Sequence, residues 1–330
     1  MPTKYRRFLS SMFIVVLICM ASGLTASGQR RLGNVEDEDP AGGQGTRGGV
    51  KTVTIPITIR ERGKRPEQEL TPVGDFIVRE DGDVQRVLSV RSISNAPLSV
   101  AILIQDDVVP TIGNEIKAMK EFIGRLPRGS RVMIGYIRSG SLQVRQKFTT
   151  DLERAANALR IPIGSASAAP FNPYVEIREG LKRFESLPAG RRAMLVVTDG
   201  LDVSRGVDSS PPGQSIDLER AVKEAQRNSV AIYSFYVPTV TLEASRNQLL
   251  TSNALGSLQK LSEETGGRAF FQGTGAPVSF DPFLRELGVS FARQMAITYL
   301  STHPKKGYHR IQVKSEMPNI EIDHPAGYTR

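Results

Sequence analysis

The 330-residue sequence has one cysteine, Cys19, and it lies within an apolar run near the N-terminus. If that run is removed on export, the mature chain has no thiol for a disulfide, a zinc cage or a nucleophile. Long hydrophobic runs are also missing. The stretch from Phe8 to Met20 is shorter than the roughly 20 residues that span a bilayer, and no later segment comes close. Catalytic signatures are equally scarce. Neither Gly-x-Ser-x-Gly nor His-Glu-x-x-His occurs, and Gly164-Ser165 with its following alanines lacks the Gly-x-x-x-x-Gly-Lys of a phosphate loop. His303, His309 and His324 all fall close to the C-terminus, with no carboxylate or serine placed by motif as a triad partner. They read as surface or strand histidines. These absences argue against an enzyme.

At the N-terminus, Lys4, Arg6 and Arg7 precede the apolar run, and small residues with an Ala26-x-Gly28 cleavage pattern follow it. That order predicts a signal peptide over residues 1–28 and an exported protein, periplasmic or secreted. An uncleaved signal anchor is the one membrane attachment the sequence offers. Ile18 stands where lipoprotein processing needs a small residue before the cysteine. The formal charge of +9 includes three of these N-terminal cations, and the remaining basic residues are scattered, with no aromatic-interleaved stripe. Nucleic acid is therefore not an expected partner. A hydrophobic content of 39% and a charged content of 23% describe an ordinary globular chain with room for two structural units.

Residues 29–50, rich in Gly, Arg, Asp and Glu, read as a flexible tether. Over 51–94 the pattern is that of a small antiparallel β unit. Val53, Ile55, Ile57 and Ile59 alternate with polar residues, Pro56 suggests an edge, and Asp81-Gly82 marks a hairpin between Phe76–Val78 and Val84–Ile93. Three or four strands are too few to close a sandwich, so another segment must complete the unit. Alternation stops at Pro97. Leu98 to Ile104 is a continuous apolar run, as in a strand covered on both faces. Strand-like and helical segments then alternate over residues 95–302: strands at 132–137, 193–197, 230–237, 268–271 and 296–300, and helices near 116–126, 173–187, 216–228, 254–264 and 283–293. Thr150-x-x-Glu153 reads as a capping box for a further helix through Leu159. This predicts an α/β fold, a doubly wound, mostly parallel Rossmann-like sheet. The tail, residues 303–330, alternates again at Tyr308, Ile311, Val313, Ile320 and Ile322, and is expected to rejoin the β unit.

In open parallel sheets, ligands bind beyond the carboxyl ends of the strands. Three loops lie there: Gln105-Asp106-Asp107-Val108-Val109, Phe171-Asn172, and Thr198-Asp199-Gly200-Leu201-Asp202-Val203-Ser204. With Pro97-Leu98-Ser99-Val100 and Val196-Val197-Thr198-Asp199-Gly200, the chain resembles a von Willebrand factor type A domain. The flanking Leu70-Thr71, Asp75-Phe76, Val78, Glu80-Asp81-Gly82 and Gln85, with Glu264-Thr265-Gly266-Gly267-Arg268 and Gly327-Tyr328, resemble the bacterial VWFA-related family of exported proteins. The resemblance covers about residues 50 to 328.

It implies a metal-ion-dependent adhesion site with Asp-x-Ser-x-Ser on the first loop, Thr on the second and Asp on the third. Mg²⁺ takes about six oxygens from such a set, waters and a partner carboxylate included. In one register Gln105 stands for the first Asp, Asp107 for the first Ser and Val109 for the second. In the other, Asp106 keeps the acid while Val108 and Pro110 replace the hydroxyls. Phe171 or Asn172 falls at the Thr position, and Asp199 matches outright. Two readings stay open: an altered site for Mg²⁺ or Ca²⁺ through Asp106, Asp107, Asn172 and Asp199, and a degenerate site with no cofactor. The expected function is a binding module whose edge, with Asp106, Asp107, Asn172, Asp199 and Asp202, meets a protein or glycan partner. The alternative is a structural spacer in an envelope assembly that binds through its β unit.

Overall fold

The computed structural model describes residues 51–63, 75–188, 190–205, 210–245 and 247–330. The expected signal segment and tether, and Leu70-Thr71, lie outside these residues. Strands β1 (Lys51–Glu61), β2 (Phe76–Glu80) and β3 (Asp83–Ser92) open the described chain. Asp81 and Gly82, with φ of 51° and 99°, form the two-residue turn between β2 and β3. Two positive φ values give a hairpin the twist its strands need, so the Asp-Gly signal was sound.

Next comes β4 (Leu98–Gln105), buried at every residue. Val100, Ile102 and Ile104 enter one hydrophobic core, and Ala101 and Leu103 enter another. The uninterrupted apolar run is thus the consequence of two covered faces. After it follow α1 (Ile116–Gly124), β5 (Arg131–Arg138), β6 (Ser141–Thr149), α2 (Leu152–Asn157), α3 (Tyr174–Lys182), β7 (Arg191–Thr198) and α4 (Ile216–Arg227). Then come β8 (Ala231–Tyr236), α5 (Val240–Ser245), α6 (Gln248–Glu263), β9 (Ala269–Phe270) and α7 (Asp281–Ala292). The sheet runs β6-β5-β4-β7-β8-β9, parallel except for β6 at the edge. Renumbered within the sheet, that is the order 3-2-1-4-5-6 of dinucleotide-type α/β folds. Residues of α1, α2 and α7 fill the first core, and residues of α3, α4 and α6 the second, so helices lie on both faces.

Two local expectations change. Strand β6 was not foreseen, because its burial is one-sided and its apolar residues are few. The helix α2 is capped by Asp151, whose carboxylate accepts from Arg154 N at 2.9 Å, rather than by Thr150.

The remaining strands are β10 (Gln294–Ser301), β11 (Tyr308–Ser315), β12 (Ile320–Asp323) and β13 (Gly327–Thr329). They join β1–β3 in a seven-stranded sheet of order β12-β1-β10-β3-β2-β11-β13. The antiparallel part is therefore larger than the small unit expected. The run near 296–300, expected to close the α/β order, instead pairs with β1 and β3 as β10. Its alternation of buried and half-buried residues fits a sheet covered on one face. β11 and β12 are joined by a short turn yet stand far apart in strand order, so the sheet must curl. Ile55, Ile57, Val78, Ile297, Tyr299, Ile311 and Val313 fill the concave side. Pro56 is accommodated because β12 pairs only with Thr58–Glu61, leaving β1 with a neighbour on one side at Pro56.

Arg191, at the start of β7, ties the two sheets together. Its guanidinium donates to Gln294 Oε1 (2.7 Å), to the carbonyls of Ser94 and Ala96 (2.7 and 2.9 Å) and to that of Phe291 (2.6 Å). A buried cation with no carboxylate is thereby satisfied entirely by carbonyl oxygens.

Candidate functional site

The loops leaving β4, β7 and β8 meet at the carboxyl edge of the α/β sheet. Backbone bonds stitch them together: Val109 N to Pro238 O (3.0 Å), Val240 N to Asp107 O (3.3 Å) and Val237 N to Thr198 O (3.1 Å). Beneath this stitching lie Gln105, Asp107, Thr198 and Asp199. Gln105 Nε2 donates to Asp107 Oδ1 at 2.9 Å, and its Oε1 accepts from the Thr198 hydroxyl. Thr198 Oγ1 in turn accepts from Gly200 N (3.1 Å), and Asp199 Oδ1 from Leu201 N (3.1 Å). Asp107 and Asp199 are 2% and 4% exposed.

Burial pushes the Asp107 carboxyl above its ordinary value. It also pushes the Asp199 carboxyl up to about 7, with the Asp107 charge adding to the effect and hydrogen bonds from Leu201, Gln105 and Thr239 opposing it. Two acids out of water and close enough to interact resist being ionised together. The side chains beneath them are fixed as well. Tyr174 is fully buried and donates to Gly200 O at 2.6 Å. Gly200 itself, with φ of 72°, has no space for a side chain, because a Cβ would stand 2.6 Å from Leu258 Cγ.

Asp106 lies elsewhere. It is wholly buried but faces α2, where Arg160 Nη1 and Nη2 donate to its two oxygens (2.7 and 2.8 Å) and Ile163 N adds a third bond (3.0 Å). Gln105 and Asp107, not Asp106, therefore point into the cluster, so the first of the two registers matches the geometry. Asn172 Oδ1 accepts from Tyr174 N and Val175 N (3.1 and 3.3 Å) and caps α3, while its amide reaches Asp217 at 3.4 Å. Asp202 accepts from Ser204 N (3.1 Å) and from the hydroxyls of Ser204 and Ser215, and so organises the loop before α4.

Among the five candidate acids and amides, only Asp107 and Asp199 belong to one cluster with Thr198. Gln105 presents an amide donor there, and Val109 brings no ligand atom. That donor set falls short of the six oxygens Mg²⁺ takes, or the six to eight of Ca²⁺, and burial leaves no approach for a partner carboxylate. The residues do not fit the cation that the resemblance implies.

The edge also exposes several large apolar side chains. Phe171 is 76% exposed, and Ile161, Ile163, Val175, Ile216 and Leu249 surround the same end of the sheet. Sequence reasoning placed Phe171 only at the Thr position of the metal site and passed over the others, which lie in loops or first helical turns. A second gathering was also missed. The structure brings His303 and His309 to the Glu80-Asp81-Gly82-Asp83 hairpin, more than two hundred residues away in sequence. The hairpin was legible, but its partners were not.

No family model and no curated protein matches the chain. Among solved structures it is similar to an aerotolerance-related membrane protein from Bacteroides fragilis, at 12% identity and a TM-score of 0.39, over 59% of this chain and 98% of that one. It is also similar to BatB from Bacteroides thetaiotaomicron, at 13% identity and a TM-score of 0.38, over 59% and 98% of the two chains. A third is a von Willebrand factor type A protein from Catenulispora acidiphila, at 10% identity and a TM-score of 0.41, over 84% and 74%. The strand order, and the placement of Gln105, Thr198 and Asp199 at the carboxyl edge, agree with the von Willebrand type A-like α/β fold that the sequence resemblance implies.

Proposed function

We propose that the protein is an exported binding module, not an enzyme, whose protein partner docks without metal on the apolar rim above the sealed acid cluster. The observation that carries this reading is the inversion of the edge. Its acids are buried, and large apolar side chains stand exposed among its polar ones, with Phe171 the most prominent on the loop before α3. Exposed large apolar side chains rimmed by polar residues favour a protein partner over a glycan. The buried cluster then serves as a degenerate adhesion site that holds three loops in register. Export is supported by the N-terminal charge and apolar pattern. No helix among the described residues is long and apolar enough to cross a membrane.

The spacer reading finds support in Val84 and Leu88, exposed on β3 of the curled sheet. A photo-reactive amino acid placed at position 171 or at position 88 of the full chain, in the native envelope, separates the two. The proposal expects a discrete adduct from position 171 that persists in EDTA and disappears with Ile163→Asp. An adduct from position 88 alone would favour the spacer, and one at 171 that EDTA removes would restore a metal-dependent edge.

A further inference from the structure

The Asp81-Gly82 turn carries its acids to the start of the neighbouring strand β11. Asp81 is held from two sides: its N donates to Arg310 O (2.9 Å) and its Oδ1 accepts from Arg310 N (2.8 Å). Its second oxygen, Oδ2, lies 2.7 Å from His309 Nδ1 and 3.9 Å from His303 Nδ1. His309 Nε2 stands 2.8 Å from the Lys305 carbonyl. A carbonyl only accepts, so Nε2 carries a hydrogen there. In the neutral ring Nδ1 is then the lone-pair nitrogen, and it faces Asp81 and, at 3.5 Å, Glu80 Oε1. Either a proton on Nδ1, shared with Asp81, or a metal cation held between the nitrogen and the carboxylates satisfies this contact.

Glu80 supplies the independent observation. Its side chain is fully buried, and Oε1 accepts from the Tyr328 hydroxyl at 2.8 Å. Its Oε2 makes no hydrogen bond of good geometry among the described residues, and the equally unbonded, buried Tyr299 hydroxyl lies against the same carboxyl. His303 Nε2 is likewise buried and without a hydrogen bond, 3.3 Å from Asp83 Oδ2. Buried, unsatisfied polar atoms are costly and uncommon, and here two of them border one cluster.

We propose that Glu80, Asp81 and His309, with His303 at the rim, form a site for a divalent transition-metal ion of the zinc class. One ligand atom from each of Glu80, Asp81 and His309 lies within 4.8 Å of the others. Ligands of a common Zn²⁺ at about 2.1 Å stand no more than about 4.2 Å apart, so small side-chain rotations complete the site. The Nε2–H bond to a backbone carbonyl is the outer contact that orients a metal-binding imidazole. Imidazole with carboxylates selects zinc-class ions over Mg²⁺, which prefers oxygen alone. This site is separate from the α/β edge and stands or falls independently of the binding role proposed there.

The full chain, stripped with a chelator, should be titrated with Zn²⁺ by calorimetry at neutral pH, and with Co²⁺ by visible absorption. The expected result is one equivalent of Zn²⁺ with ligand-field bands for Co²⁺. Affinity should fall at least about tenfold in both His309→Ala and Glu80→Gln and stay unchanged in Asp199→Asn. Circular dichroism checks that each variant folds. If one does not, the rise in wild-type melting temperature with Zn²⁺, and its loss in His303→Ala, provides the second measure. Absence of saturable heat up to about 1 mM Zn²⁺ overturns the proposal, as does binding that His309→Ala leaves intact.

Discussion

Both sheets gather carboxylates, and they neutralise them in opposite ways. At the α/β edge, Asp107 and Asp199 lie under stitched loops with an amide and a hydroxyl for company, and burial raises both. At the β hairpin, Asp81 meets His309. Burial is the largest single influence and works against both charges there, but the mutual hydrogen bond, backbone hydrogen bonds and neighbouring charges together outweigh it, lowering the Asp81 carboxyl and raising the His309 imidazole. The first arrangement favours the protonated form of its acids. The second sets an imidazole nitrogen against carboxylates, one oxygen of which, Glu80 Oε2, has no hydrogen bond. Counting acids does not distinguish these clusters; the atoms facing the acids do.

The sharpest way to break this contrast is through pH. Asp199 releases its proton near 3.8 in the unfolded chain and near 7 in the folded one. Between those values the folded state binds the extra proton, so its stability falls as pH rises through the window, and the loss is complete above it. The full gap of about three units corresponds to about 4 kcal/mol. Asp199→Asn cannot ionise and should be more stable than wild type in urea unfolding at pH above 7, by an amount approaching that figure. A flat wild-type profile from acid to neutral pH would contradict the buried, protonated acid.

A second test removes the partner of the acid that faces away. Arg160→Met leaves the wholly buried Asp106 charge with only the half-exposed Arg138 at 4.0 Å and should destabilise the fold by about 3 kcal/mol. Adding Asp106→Asn should recover part of the loss, as a double-mutant cycle would show. Gly200→Ala is expected to cost about 2 kcal/mol, since a left-handed backbone and a Cβ against Leu258 are both unfavourable. The smallest effect on stability belongs to Phe171→Ser, within about 0.5 kcal/mol. It should nevertheless abolish partner cross-linking, which separates the exposed rim from the packed cluster under it.

Much of this fold could be read from local pattern. The run Leu98–Ile104 marked the central strand, Asp81-Gly82 marked a hairpin, and the alternation at Lys51–Glu61 marked a one-faced strand. What failed was non-local. β10 looks like any strand after a helix, and only pairing with β1 and β3 assigns it to the curled sheet. The site divided along the same line. Asp199 and Asp107 could be proposed from loop position, but Gln105 and Asp106 are adjacent polar residues, and sequence left both registers open. The deciding partner, Arg160, lies 54 positions beyond Asp106. The contact between Asp81 and His309 spans 228 positions and has no motif at all.

The proposed binding role has the type A-like edge sealed by its own hydrogen bonds, and such an edge is expected to take no metal. Calorimetric titration of the chelator-stripped full chain with Mg²⁺ and then Ca²⁺, beside Asp199→Asn, tests it most directly. The prediction is no saturable heat attributable to this edge, with identical traces for the two proteins. A stoichiometric heat in the wild type that Asp199→Asn abolishes would contradict it.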